Sequence, residues 1–245
     1  MNGAAFAAAL LLGAVYALGG ERAHLLSGLW RHRRWVSAAA GVSVAYVFVD
    51  VLPELAAQNQ TLSGAAASAS SAAFYDDQRI YCLALLSFVL MYGLEHLVLS
   101  QRTEPGAEHE RGGAVYWLHL GGFAAYSALI GYLLLERSAR GELSLAIYVV
   151  AMAIHFIVVN HSLTEEHGHA YARHGHWILA ASVLAGWALA HVAELSDQAF
   201  ARLFALLAGG VVITSLRAEL PDDRSGRFWP FCIAAVLFAS ILLLA

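Results

Sequence analysis

Lysine is absent from this chain, whose 14 basic residues are all arginine. A retinal held as a Schiff base on a lysine amine is therefore excluded. Charge of either sign is scarce, at 13% of 245 residues, where soluble domains carry about 25%. Cysteine is limited to Cys82 and Cys232. Both fall in apolar stretches and read as small buried hydrophobes rather than a disulfide or thiolate site. No P-loop pattern occurs, so nothing in the sequence points to nucleotide-driven chemistry. The long Ala/Leu/Val runs lack strand alternation, which argues for helices over a barrel.

Apolar bulk is what remains: 60% of the residues are hydrophobic and the mean hydropathy is +0.62. Lipid is the natural solvent for such a chain, and about 20 apolar residues per helix cross a bilayer. Apolar runs bounded by Gly, Pro or charge lie near 3–19, 35–56, 79–100, 113–135, 143–163, 176–195, 200–218 and 228–245. The expectation is an all-α integral membrane protein: one transmembrane domain over 1–245, eight helices, no sizeable soluble part. Met1 to Gly19 lacks the positive start of a signal peptide and reads as the first span. Pro230 falls in the first turn of the last span, where proline is tolerated. The stretch from Ala56 to Asp77, rich in Ala, Ser, Asn and Gln, reads as a low-complexity loop.

Arginine concentrates in cytoplasmic loops. With this segmentation Arg22, Arg31, Arg33, Arg34, Arg102, Arg111, Arg173, Arg217, Arg224 and Arg227 share one side, ten of the fourteen. Both termini are then expected outside. Arginine without lysine, in an alanine-rich chain, suggests a GC-rich bacterial source and so the cytoplasmic membrane.

One internal repeat stands out. Ala40-Gly41 through Leu52-Pro53-Glu54 aligns without gaps to Ala208-Gly209 through Leu220-Pro221-Asp222, with Val44 matching Val212. The two copies run in opposite directions across the membrane under this topology. Inverted repeats of that kind are a construction rule of secondary transporters. Recurrence of small-residue packing motifs by chance is the plainer alternative.

These segments resemble helices two and seven of the ZIP (Zrt-/Irt-like) divalent-metal transporters, each a Gly-opened apolar run ending in Leu-Pro-Glu. The resemblance implies a ZIP-like 3+2+3 arrangement, with helices 1–3 and 6–8 as the repeat and a metal site between helices four and five. Where the family carries His-Asn-x-Pro-x-Gly in helix four, this chain has Tyr126-Ser127-Ala128-Leu129-Ile130-Gly131. Where it carries His-x-x-Pro-Glu-Gly in helix five, this chain has His155-Phe156-Ile157-Val158-Val159-Asn160. The central site is degenerate by that measure.

Ionisable groups inside a bilayer are costly, and each is a functional candidate. His119, Gly122 and Tyr126 share a face of helix four, beside Ser127. His155 lies about 18 Å along helix five, at an expected depth similar to His119. With Asn160, His161, Glu95 or His96 they form a candidate site for Zn(II), Fe(II) or a similar ion. Interhelical hydrogen bonding by each histidine is the competing reading. Asp50 and Glu219 are candidate pathway groups, with Ser43, Tyr46 and Glu54 on the Asp50 stripe and Ser215 and Asp222 on the other. His191 and Glu194 form a possible outer site. In the loop expected after helix five, Glu165-Glu166-His167-Gly168-His169 and His174-Gly175-His176 could wrap one ion.

The functional expectation is therefore a ZIP-like secondary transporter of a divalent transition metal, zinc or iron class, not an enzyme. Its expected partners are the bilayer and the ion, with no nucleic acid and possibly a second copy as a homodimer. Gly121-Gly122 and Gly209-Gly210 permit close helix contact. A non-transporting ZIP-like sensor or partner subunit is the first alternative. A membrane zinc hydrolase using Ser43, Asp50, His155 and His161 ranks below, for want of a paired-histidine motif.

Overall fold

A computed structural model describes residues 3–18, 33–65, 78–103, 111–193, 195–219 and 228–244. Among these residues all regular structure is helical. We label the helices α1 Gly3–Ala17, α2 Arg33–Ala65, α3 Arg79–Thr103, α4 Arg111–Ala139, α5 Glu142–Ala170, α6 His176–Val192, α7 Asp197–Glu219 and α8 Phe228–Leu244. Five stretches are long and apolar enough to cross a membrane: 37–59, 79–98, 113–139, 142–192 and 197–216, the fourth spanning α5, a π turn and α6. The shorter apolar helices α1 and α8 accompany them. Leu85, Val89, Leu90, Trp117, Val150 and Val236 are among many large apolar side chains that face outward. Such a surface belongs in lipid rather than water.

Helix boundaries depart from the sequence reading at two places. α2 does not stop near residue 56 but runs to Ala65, through Pro53. A π turn over Val47–Val51 makes this possible: the Leu52 N–H bonds Val47 O, five residues back. The extra residue shifts the carbonyl ladder just before proline, whose ring and missing N–H would otherwise break it. Only 66–77 of the expected loop lies outside the described residues. α5 likewise continues past residue 163 to Ala170, so Glu165 to His169 are helical rather than loop. Pairs four apart, His161 with Glu165 at 3.3 Å and Ser162 with Glu166 at 3.3 Å, support the added turns. Gly168 then breaks the path with φ +49°, and a π turn over Tyr171–Gly175 leads into α6. The tight turn between α4 and α5 rests on Gly141, whose φ of +127° disfavours any side chain.

Packing divides the helices into two bodies. α4 meets α6 most extensively, and α1 lies against α6, α5 and α4. In the second body α2 packs on α8, α3 on α7, and α2 on α7. Glycine sets the closest approaches. A methyl group on Gly41 would strike the backbone carbonyl of Phe231 on α8, and one on Gly209 that of Ala84 on α3. Gly131 and Gly186 play the same part between α4 and α6, against Val183 and Ala128. Gly121, by contrast, faces open space. Cys82 is exposed on α3, not buried as its apolar neighbours suggest, because α3 turns that face away from the bundle. Cys232 is half-buried.

Candidate functional site

Three polar stations follow α4 and α5 from one end of the bundle to the other. At the Gly141 end, Arg137 of α4 is buried and donates to both carboxylate oxygens of Asp50, at 2.8 and 3.2 Å. Its guanidinium lies 5.5 Å from the centre of the Tyr148 ring. One turn further, Arg140 donates to both oxygens of Glu54 at 2.7 Å and also to Glu136. The Glu54 hydrogen bonds, helped by the Glu136 charge, raise the Arg140 pKa above its ordinary value. The π turn of α2 places Asp50 at this junction, where it pairs with Arg137.

Midway, the buried His155 ring presents Nε2 to two hydroxyls, Tyr126 Oη at 3.3 Å and Thr214 Oγ1 at 3.5 Å. Ser127 lies alongside and meets Tyr16 Oη at 3.2 Å. Asn160 sits further along α5, where its Oδ1 accepts from Tyr171 Oη at 2.6 Å. Thr214 Oγ1 also donates to backbone carbonyls of its own helix, Gly210 O at 2.8 Å being the nearer. Hydroxyls dominate this station.

At the Ala170 end, His119 Nδ1 lies 2.8 Å from His167 Nε2 and 3.7 Å from Glu166 Oε2. Among the described residues these three are the grouped His and acid side chains that could hold a metal, with donor atoms within 4.8 Å of one another. His119 is buried, whereas Glu166 and His167 are half-buried.

The expected pairing of His119 with His155 is therefore replaced by two stations. His119 lies seven residues, about 10 Å, before Tyr126, the α4 residue level with His155. The longer α5 brings His167 to His119 instead. His161 turns to Glu165 at 3.3 Å and stays apart from both stations. Of the four histidines expected to share a loop site, His167 joins the cluster while His169 and His174 are exposed. His176 is buried, with Nδ1 3.3 Å from Tyr171 O. Glu95 is buried on α3, and His96 is exposed beside Tyr92. His191 donates through Nδ1 to Trp187 O, 3.0 Å away on its own helix. Glu194, Asp222 and the Glu219 side chain lie outside the described residues. Arg137, Thr214 and Tyr171 were not singled out by sequence, because only the helix pairing gives them partners, and Glu166 was read only within the loop motif.

The chain matches no family model, and no curated protein or solved structure compared with it is detectably similar.

Proposed function

We propose that this protein is a ZIP-like secondary transporter of a divalent transition-metal cation, zinc or iron class, in which the two helix bodies move against each other. The reading rests on one observation, a partial symmetry of packing. Exchanging α1 with α6, α2 with α7, α3 with α8 and α4 with α5 turns the extensive α2–α8 contact into the similarly extensive α7–α3 contact, and α4–α6 into the smaller α5–α1 contact. Gly41 and Gly209, aligned by sequence alone, occupy equivalent places in that scheme, each admitting the backbone of its exchanged partner. An eight-span inverted repeat accounts for both facts, and such repeats build alternating-access transporters. By arginine distribution both termini lie outside and the Ala170 end of α5 faces the cytoplasm. Within the reading, His155 is the midplane contact for the ion, with Tyr126 and Ser127 as weaker oxygen donors and Asn160 beyond them.

One observation favours the alternative, a ZIP-like relative that no longer transports: no carboxylate reaches His155 among its described contacts, and hydroxyls surround Nε2. Zinc uptake by the purified protein in sealed vesicles separates the two. Transport predicts uptake above protein-free vesicles that falls severalfold in His155→Ala. Uptake unchanged by that substitution removes His155 from the mechanism, and no uptake at all by the wild type favours the non-transporting reading.

A further inference from the structure

We propose that His119 Nδ1, His167 Nε2 and the Glu166 carboxylate form a binding site for one divalent transition-metal ion of the zinc class at the Ala170 end of α4 and α5. It is separate from the His155 station. The inference does not depend on transport.

The strongest argument is the convergence of three donors. His167 Nε2 and Glu166 Oε2 both approach His119 Nδ1, at 2.8 and 3.7 Å, and the donor atoms of the three side chains lie within 4.8 Å of one another. A proton shared by the two rings joins only two of the three, whereas a cation can accept from all three groups. His119 Nδ1 joins α4 to α5 through His167, and the remaining nitrogen, Nε2, is buried with no hydrogen-bond partner. Leaving a buried polar nitrogen unpaired costs about 1–3 kcal/mol.

Donor type and spacing fit the ion. Two imidazoles and a carboxylate are a set that zinc and its neighbours accept, with bonds of about 2.0–2.2 Å. Tetrahedral donors at those lengths stand roughly 3.3 Å apart. The two separations from His119 Nδ1, 2.8 and 3.7 Å, bracket this value, and all three donors lie within 4.8 Å of one another.

Neighbouring contacts hold the donors in place, as supporting groups do in metal sites. Ser162 Oγ donates to Glu166 Oε1 at 3.3 Å, on the oxygen that does not face His119. Tyr116 sets its ring edge-on to His167, 5.0 Å between centroids, and its hydroxyl donates to Ala170 O at 3.2 Å. Phe123 packs edge-on to His119 at 5.0 Å. His119 thus forms a dry floor, while half-buried Glu166 and His167 leave the ion a way in. Three protein donors leave a position for water or an exchanging ligand.

The test uses the full-length protein in detergent, titrated with Co(II) and followed by the visible absorption of a low-symmetry nitrogen-oxygen site, with zinc as competitor. In a His155→Ala background, which removes the midplane contact, the expected result is one cobalt ion per chain, displaced by zinc. Affinity falls by more than about 100-fold on adding His167→Ala and at least about 10-fold on adding Glu166→Gln. Adding His169→Ala and His174→Ala together leaves binding unchanged. Because His167 and Glu166 are half-buried, retained thermal unfolding temperatures check that these variants still fold. The proposal is overturned if the His155→Ala protein gives no such band, if adding His167→Ala keeps it, or if loss follows the exposed histidines instead. A wild type that binds cobalt here and takes up no zinc in vesicles would leave this site standing and sink the transport reading.

Discussion

Arg137 on α4 grips Asp50 on the π turn of α2 through both terminal guanidinium nitrogens, at 2.8 and 3.2 Å, and joins the two helix bodies at the Gly141 end. Arg137 is 6% exposed, so neither water nor lipid replaces its partner easily. Removing one member of a buried pair costs roughly 3–5 kcal/mol, because the other charge is left without compensation. The Asp50 side chain keeps 21% exposure, which puts Arg137→Ala at the lower end of that range. Thermal unfolding in detergent should show the loss. Combining Arg137→Met with Asp50→Leu should recover at least half of it, since no stranded charge remains. A double variant as unstable as the two single losses added together would mean the residues do not act as a pair.

Arg140 offers the matched contrast. It makes more ionic hydrogen bonds than Arg137, two to Glu54 and two to Glu136, but its side chain is 36% exposed. Water screens such pairs, and exposed ones contribute about 0–1 kcal/mol. Arg140→Gln should therefore shift the unfolding temperature far less than Arg137→Ala, and added salt should narrow its effect further. Equal losses for the two substitutions would contradict the ranking by burial.

Every apolar run in the sequence has a helix over it, because lipid-facing residues must be apolar whatever they pack against. The runs at 113–135 and 143–163 became α4 and α5 with their tight Gly141 turn. Length was legible only where polarity and helix ended together. Glu165 to His169 are polar and still helical, since their four-residue pairings fit a helix as well as a loop. That misplaced end hid the meeting of His119 with His167, which also needs α4 and α5 to pack. Asp50 and Arg137 were out of reach for a similar reason: periodicity gives each a face, and 87 residues of chain separate them. Gly41 and Gly209 were readable as close-packing positions because small residues are demanded wherever two backbones touch.

That demand gives a direct prediction. Gly41→Ala and Gly209→Ala each push a methyl group into a neighbouring backbone carbonyl, which cannot swing aside as a side chain would. Overpacking of this kind costs about 1–3 kcal/mol. Gly121→Ala has open space around it and should be neutral or stabilising by up to about 1 kcal/mol, through helix propensity. Unfolding curves for the three variants check this. If Gly121→Ala destabilises as much as the other two, the close approaches at Phe231 and Ala84 are not what those glycines serve.

Tyr171 holds the end of α5 to the π turn that follows it. Its hydroxyl donates to Asn160 Oδ1 at 2.6 Å, with both residues buried. Tyr171→Phe keeps the ring and leaves the Asn160 oxygen unpaired, a loss of about 1–3 kcal/mol. Asn160→Leu in the same background should restore part of it by removing the stranded acceptor. Local hydrogen exchange around 160–175 should rise in Tyr171→Phe; unchanged exchange there would mean the bond does not fasten this segment.

Orientation can be read from the same two turns. Ala139, beside the α4–α5 turn, and His174, in the π turn, are both exposed, and all of α5 lies between them. The α5 helix runs from Glu142 to the break at Gly168, about 39 Å at the usual rise, enough to cover a hydrocarbon core of about 30 Å. The topology proposed from the arginine distribution puts the Gly141 end outside. In a background of Cys82→Ala and Cys232→Ala, Ala139→Cys should react with a membrane-impermeant maleimide on intact cells. His174→Cys should react only after the membrane is opened. The opposite pattern would invert the topology and put the His119, Glu166 and His167 cluster outside. Labelling of both from one side would mean that α5 does not cross the membrane, and with it the inverted-repeat reading would fall.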